Sequence, residues 1–245
     1  MYNHRVIGMF KERGALITAL DEFYGTIADR VGRFQKEREG ADRCQASSFT
    51  AFTYIDPDEN RLSDIIRDLL DPCGKHGQGR LFLDLFLDAI GVPPESVHLP
   101  FRVKREDRTL YCASPERRID ITLELGDFGV GIENKPFARE EKDQLKDYWA
   151  HLRRRYPQRF MLVYLSGDGS EPTSLSKIDL ATLRRAKQFR ILAYRTDLHR
   201  WLEGCYRDCR ADKVRWFLQD LAKYVQRNKQ FELAEADEDP IRERN

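Results

Sequence analysis

The sequence lacks the segments that would place it in a membrane or on a secretion route. No apolar run approaches the ~20 residues that cross a bilayer, and the N-terminal MYNHRVIGMF has no charged-then-apolar signal layout. There is also no G-x-x-x-x-G-K-[ST] phosphate loop and no H-E-x-x-H zinc motif. These absences predict a cytoplasmic protein that does not bind membranes and belongs to neither of those two motif classes.

Cysteine and net charge are scarce as well. The five cysteines are an odd number without paired C-x-x-C spacing, which predicts reduced thiols. The 42 Lys and Arg residues nearly balance the 41 Asp and Glu residues, so attraction to a polyanion would require local clusters of charge. Hydrophobic residues make up 41% of the chain, which is typical of a globular protein rather than a disordered one. A length of 245 residues favours a single domain.

The hydrophobic pattern predicts helices, three consecutive strands, and then alternating helices and strands. A helix is expected over 14–37, another ends before Pro72, and a third ends at Gly91. The predicted strands are SVHLPFRVKRE, RRIDITLEL, GVGIENK, RFMLVYLS and QFRILAY, with a helix over about 138–155 between the third and fourth. Two helices are expected over 196–230, with Trp201, Trp216 and Phe217 in the core. The order indicates an α/β domain with a central mixed β-sheet flanked by helices.

The second and third predicted strands carry charged residues among their apolar ones. Asp120 lies in RRIDITLEL, and Glu133 and Lys135 lie in GVGIENK. Because side chains alternate along a strand, all three are expected on one face of the hairpin. If Gly126 and Gly129 pair across the turn, Asp120 lies opposite Lys135 and diagonal to Glu133.

This grouping suits phosphate chemistry. The carboxylates of Asp120 and Glu133 and the backbone carbonyl of Asn134 form a hard-oxygen ligand set for Mg²⁺ or Mn²⁺. Such an ion would acidify a water molecule and neutralise charge on a phosphate. Lys135 could hold the attacking water and stabilise the transition state. The alternative is a solvated hairpin face with an ordinary lysine–carboxylate pair.

The helix after the hairpin adds an amide and a phenol. Gln144 and Tyr148 are spaced i, i+4, so they share a helix face and could reach the same phosphate. His151 and Arg155 continue that line. The basic run HLRRRYPQRF at 151–160 fits either a phosphate-contacting surface or a solvated helix end.

Together these motifs resemble the PD-(D/E)XK nuclease superfamily, with Asp120 and Glu133-Asn134-Lys135 in the positions of its catalytic residues. Ile119 stands where the superfamily usually has proline. Gln144 to Tyr148 resembles the Q-x-x-x-Y motif of the RecB-like branch. ENRLSDIIRDLLDPCGKHGQGRLFLDLFL looks like the opening of uncharacterised bacterial members. The resemblance implies a restriction-endonuclease-like core over about 52–195, with a helical extension at 1–48, helices at 196–230 and a charged tail at 231–245.

The resemblance also implies a function. The expected activity is that of a Mg²⁺-dependent phosphodiesterase that cleaves nucleic acid, with DNA favoured over RNA. The expected biological role is restriction or anti-phage defence. A homodimer is compatible with it. A further acidic residue is expected from the first core helix: Glu59, with Asp64 or Asp68 as substitutes. Glu59 also suits a helix start, where the helix dipole favours negative charge. The alternatives are a catalytically inactive nucleic-acid-binding or scaffold protein on the same fold, and a hydrolase of another phosphate ester.

Overall fold

The computed structural model describes residues 20, 22–38, 40–42, 46, 49–110 and 117–231. The chain divides into two units, Met1–Thr50 and Ala51–Asn245. In the first unit, residues 22–38 form helix α1, which overlaps the helix predicted over 14–37. The charged tail lies outside the described residues from 232 onward. No helix in the described part of the chain is long and apolar enough to cross a membrane.

A five-stranded mixed sheet forms the centre of the second unit, with its strands in chain order. Its strands are β1 (Phe101–Arg108), β2 (Arg118–Leu125), β3 (Phe128–Lys135), β4 (Phe160–Ser166) and β5 (Phe189–Ala193). The first three strands pair antiparallel, whereas β3, β4 and β5 pair parallel. The predicted combination of an antiparallel hairpin with crossover connections is therefore confirmed.

In the described part of this unit, six α-helices surround the sheet. They are α2 (Glu59–Leu70), α3 (Leu81–Ile90), α4 (Gln144–Arg155), α5 (Lys177–Arg185), α6 (His199–Asp208) and α7 (Asp212–Arg227). Helix α2 begins where the Asp58 side chain accepts a hydrogen bond from the Arg61 N–H, and it ends before Pro72 as predicted. Helix α3 ends at Gly91, whose φ of 73° is the left-handed conformation that glycine adopts readily.

The sheet divides the apolar interior into two clusters. One joins β-strand residues such as Ile121 and Ile132 with α2, α3, α6 and α7. The other joins Leu162 with α4 and α5. Helix α4 approaches β3 closely, because a Cβ atom on Gly129 would lie 2.2 Å from a ring carbon of Tyr156. Helices therefore flank both faces of a central sheet, the layered α/β architecture that the sequence predicts.

Two local predictions are wrong. Trp201 is buried at 4% exposure, but Trp216 is 73% and Phe217 is 38% exposed, so the helical spacing misplaces them in the core. Helix α4 begins at Gln144 rather than near residue 138, because Asp143 adopts a left-handed φ of 60°. Of the cysteines in the described ranges, Cys73, Cys205 and Cys209 are free thiols.

Candidate active site

The hairpin of β2 and β3 has a register that differs from the predicted one. Leu125 pairs with Phe128, and Ile121 pairs with Ile132, so the turn is the two-residue loop of Gly126 and Asp127. Gly126 has a φ of 74°, which such tight hairpin loops require. One step beyond the last pair, Asp120 comes opposite Glu133 rather than opposite Lys135. The shift is two residues, so the side chains keep the predicted alternation.

Glu133 is a carboxylate without exposure to solvent. Its relative exposure is 0%, and neither side-chain oxygen accepts a hydrogen bond of good geometry from any residue in the described ranges. Lys135 Nζ lies 3.3 Å from its Oε1 atom. Burial raises the pKa of Glu133 well above its ordinary value of 4.5, and the charge of Asp120 raises it further. The carboxylate is therefore costly to bury and remains available to a cationic ligand.

Asp120 lies beside Glu133 and is tied to the backbone of β3. Its Oδ2 atom accepts a hydrogen bond of 2.8 Å from the Asn134 N–H. Burial raises the pKa of Asp120, although this hydrogen bond and the charge of Lys135 oppose the shift. The two carboxyl groups are close enough to interact directly. The structure thus brings together the two acids that the sequence singles out.

The side chain of Asn134 points to other elements. Its Nδ2 atom donates to Ser63 Oγ on α2 at 2.8 Å, and its Oδ1 atom accepts from the Tyr194 hydroxyl at 2.6 Å. Asn134 is fully buried. Its amide therefore joins α2 to β3, so the group that it could offer to a metal is its backbone carbonyl.

Lys135 lies between two carboxylates. Its Nζ atom is 2.6 Å from Glu59 Oε1 and 3.3 Å from Glu133 Oε1. Burial would lower the pKa of Lys135, but Glu133, Glu59 and Asp120 outweigh it and raise the pKa above its ordinary value of 10.5. The side chain is an ammonium group that can donate hydrogen bonds.

Glu59 is the acid of α2 that reaches this lysine. Of the two substitutes considered, Asp64 has its Oδ1 atom 2.9 Å from Arg105 Nε, and Asp68 lies 3.9 Å from Arg67 Nη1. Both carboxylates are therefore engaged with arginines away from Lys135. The geometry favours Glu59 over either substitute.

Gln144 and Tyr148 contact each other. Gln144 Nε2 lies 2.9 Å from the Tyr148 hydroxyl, which donates a short hydrogen bond to the Arg118 carbonyl in β2. Gln144 Oε1 accepts from the Glu141 N–H at 2.9 Å. Burial, followed by the charge of Glu133, raises the pKa of Tyr148. The pair therefore fixes α4 against β2, next to the two acids.

The residues that continue this helix line have other partners. His151 Nδ1 accepts from the Leu110 N–H at 3.1 Å. Arg155 binds Asp107 at 3.2 Å and also pairs closely with Glu124. Arg155 is therefore paired with carboxylates of β1 and β2 in this structure, and its contact with a phosphate stays a prediction.

A pocket of about 900 Å³ opens beside Lys135. Its lining includes Arg139 and Lys229, both exposed and without an ion-pair partner among the described residues. It also includes Phe137, which is 40% exposed. No motif in the sequence singles out these residues, although Phe137 and Arg139 follow Lys135 within four positions.

Glu140 fixes the loop that carries Phe137 and Arg139. Its carboxylate accepts hydrogen bonds from the Tyr164 hydroxyl at 2.7 Å and from the Ser174 N–H at 2.8 Å. It also accepts from the N–H and hydroxyl of Thr173. Burial alone would raise the pKa of Glu140, but these hydrogen bonds lower it below its ordinary value of 4.5.

Glu140→Gln is therefore expected to destabilise the protein in a pH-dependent way. The amide would place a donor against existing donors, at a cost of about 1.5–3 kcal/mol of unfolding free energy near neutral pH. Because the folded-state pKa is depressed, the advantage of the wild type is present above pH 4.5 and is lost as the pH falls through the folded pKa. Urea unfolding of both proteins over a pH series measures the difference, and a pH-independent difference would contradict it.

The donor chemistry fits a hard divalent cation. Asp120 and Glu133 present carboxylate oxygens in a buried site, and no described residue donates a hydrogen bond of good geometry to those of Glu133. Within the described ranges, no group of three or more His, Cys, Asp and Glu side chains is arranged for metal binding. The ligand set would thus consist of two carboxylates with backbone oxygen and water, which Mg²⁺ accepts.

Fold and site together define a class. A mixed sheet between helical layers, with two acids and a lysine at the neighbouring ends of an antiparallel hairpin, is a restriction-endonuclease-like α/β domain. A family model of the PD-(D/E)XK nuclease superfamily matches residues 49–226, and the chain belongs to that superfamily. Membership implies a nuclease, a hydrolase that acts on nucleic acid. Searches of curated proteins and of solved structures give no significant match.

Proposed function

We propose that the protein is a Mg²⁺- or Mn²⁺-dependent nuclease that hydrolyses phosphodiester bonds of DNA. The observation that supports this most directly is the buried carboxylate of Glu133, which accepts no hydrogen bond of good geometry from the described residues and lies beside Asp120 and Lys135. Leaving a buried charge incompletely paired costs several kcal/mol. A scaffold protein has no use for such a carboxylate, whereas a metal-dependent enzyme requires it as a ligand for the ion.

The residues of the chain take distinct roles in this proposal. Asp120, Glu133 and the carbonyl of Asn134 would hold the ion, which when bound supplies Lewis acidity and neutralises charge on the phosphate. Lys135 donates from its ammonium group to the attacking water and to the charge that develops on the phosphate.

The surrounding residues keep this group in place. Glu59 orients the ammonium of Lys135 through their 2.6 Å contact. Gln144 and Tyr148 hold α4 against β2 and thereby support the carboxylates. We assign them positioning roles, because both are engaged in hydrogen bonds within the protein.

DNA as the substrate, a RecB-like affiliation and a setting in restriction or anti-phage defence extend the superfamily membership by analogy. A cytoplasmic location would follow from that setting. The exposed cations Arg139 and Lys229 offer local positive charge to a polyanion, although the net charge of the chain is only +1.

A cleavage panel tests the proposal. Plasmid DNA, linear duplex, single-stranded DNA, RNA and a small phosphodiester are incubated with Mg²⁺ or Mn²⁺, with EDTA as the control. We expect DNA cleavage that EDTA abolishes. Cleavage of RNA alone would transfer the proposal to RNA, and hydrolysis of the small ester alone would identify a different phosphoesterase. Metal binding without any turnover would indicate the inactive binding protein.

A further inference from the structure

The loop after Lys135 carries an aromatic side chain that the nuclease chemistry does not use. The ring of Phe137 stacks on Phe231 with centroids 5.3 Å apart and an interplanar angle of 11°. Phe231 in turn stacks on Tyr194 at 4.7 Å and 23°. The Tyr194 hydroxyl donates to Asn134, the residue between Glu133 and Lys135. The stack of three rings is therefore anchored to the strand that bears the site.

Burial distinguishes the outer ring from the inner two. Tyr194 is 0% and Phe231 is 1% exposed, whereas Phe137 is 40% exposed and lines the pocket beside Lys135. One face of its ring is covered by Phe231, so the stack ends at the pocket. A flat partner placed there would continue the stack and cover the remaining apolar surface.

The charges around this ring select the type of partner. Three carboxylates line the pocket and keep their charge, and each accepts a hydrogen bond from a neutral group: Asp56 from the Tyr224 hydroxyl, Asp58 from the Arg61 N–H, and Asp168 from the Ser170 N–H. Arg139 and Lys229 have no partner among the residues that the structure describes. An aromatic face beside free cations fits a nucleotide, which joins a flat base to a phosphate.

The loop is held in place before any substrate binds. Glu140, three residues after Phe137, is anchored to Tyr164, Thr173 and Ser174. The ring is thus a pre-organised platform, which lowers the entropic cost of binding.

We propose that Phe137 stacks on an unpaired base adjacent to the phosphate that is cleaved, so that the enzyme acts on single-stranded or locally unpaired nucleic acid. A base inside an intact duplex is stacked on both faces and cannot offer one to the protein without being extruded. The inference rests on the proposed nuclease function for its placement next to a scissile phosphate. The stacking itself requires only that the pocket binds nucleic acid.

Binding measurements test the inference without turnover. Single-stranded and blunt duplex DNA of the same sequence are titrated with the wild type in EDTA at low salt. Phe137→Ala is expected to weaken single-strand binding by about 5- to 150-fold, the range for loss of one base–aromatic stack. Duplex binding is expected to change little. Phe137→Trp should retain the affinity, and Trp216→Ala is the control, since Trp216 is an exposed aromatic residue outside this pocket.

A fluorescent base distinguishes stacking from a general structural effect. 2-Aminopurine in the single strand is expected to be quenched by the wild type and by Phe137→Trp, but less by Phe137→Leu, which keeps apolar bulk without an aromatic face. Equal loss of single-strand and duplex affinity in Phe137→Ala would overturn the inference. So would unchanged single-strand affinity in Phe137→Ala, or no single-strand binding by the wild type. Selective stacking without cleavage in the metal panel would instead reject the nuclease function alone.

Discussion

Lys135→Ala is expected to lower the rate of DNA cleavage by about 10²–10³-fold, the usual effect of removing one donor that stabilises transition-state charge. The physical reason is the position of its ammonium group, 3.3 Å from Glu133 and 2.6 Å from Glu59, in a residue that lines the pocket. Alanine removes the cation and leaves both carboxylates without it. Initial rates on the preferred substrate of the panel, at saturating metal, measure the loss.

The controls separate chemistry from folding. Lys177→Ala removes an exposed lysine at the start of α5 and should keep the wild-type rate. Far-UV circular dichroism and thermal unfolding establish whether Lys135→Ala remains folded, because breaking a buried ion pair can destabilise by several kcal/mol. A folded Lys135→Ala protein that cleaves at a rate near that of the wild type would reject the proposed role of the lysine.

Divalent metal is expected to stabilise the wild type, and Glu133→Gln is expected to abolish that effect. A ligand at one hundred times its Kd stabilises by about 2.7 kcal/mol. In a chain of this size that raises Tm by about 5–10 °C. Glutamine lacks the negative charge of the Glu133 carboxylate, so the Tm of the Glu133→Gln variant should not respond to Mg²⁺ or Mn²⁺. Differential scanning calorimetry with EDTA and with each metal measures the shift.

The same variant also tests the cost of the buried carboxylate. Without metal, Glu133→Gln is expected to unfold at a Tm no lower than that of the wild type, because it removes a desolvated carboxylate. Lys135 retains Glu59 as its partner in this variant. Glu95→Gln, at an exposed glutamate, is the control that should keep the metal response. An equal metal shift in wild type and Glu133→Gln would show that the ion binds elsewhere.

The hairpin shows where sequence reasoning succeeds and where it ends. Alternating apolar residues predict both strands. The alternation of side chains along a strand is enough to place Asp120, Glu133 and Lys135 on the same face of the hairpin. Which residues face each other depends on the turn, and the left-handed φ of Gly126 selects the shorter loop. The register is thus a property of turn geometry, which the strand pattern does not contain.

Helix α4 shows a second limit. Residues from 138 onward have a composition compatible with a helix, yet the helix begins at Gln144. Glu140 instead binds Thr173 and Ser174, more than 30 positions away in the chain. Local helix propensity does not predict that Glu140 binds these distant residues instead of joining the helix. Glu140 meets them only after β4 and the loop that follows it have packed.

The sequence by itself determined the order of strands and helices and the layered α/β class, and it singled out two acidic residues and a lysine as candidates for the site. These features are recorded in periodicities and spacings of a few residues, which local burial imposes on the chain. Only the tertiary structure decided that Glu59 meets Lys135 from 76 positions away and that the Tyr148 hydroxyl donates to the Arg118 carbonyl of β2. It also placed Phe137 on Phe231 at the edge of the pocket. Such pairs depend on how the helices and loops pack around the sheet, and no local pattern in the chain encodes them.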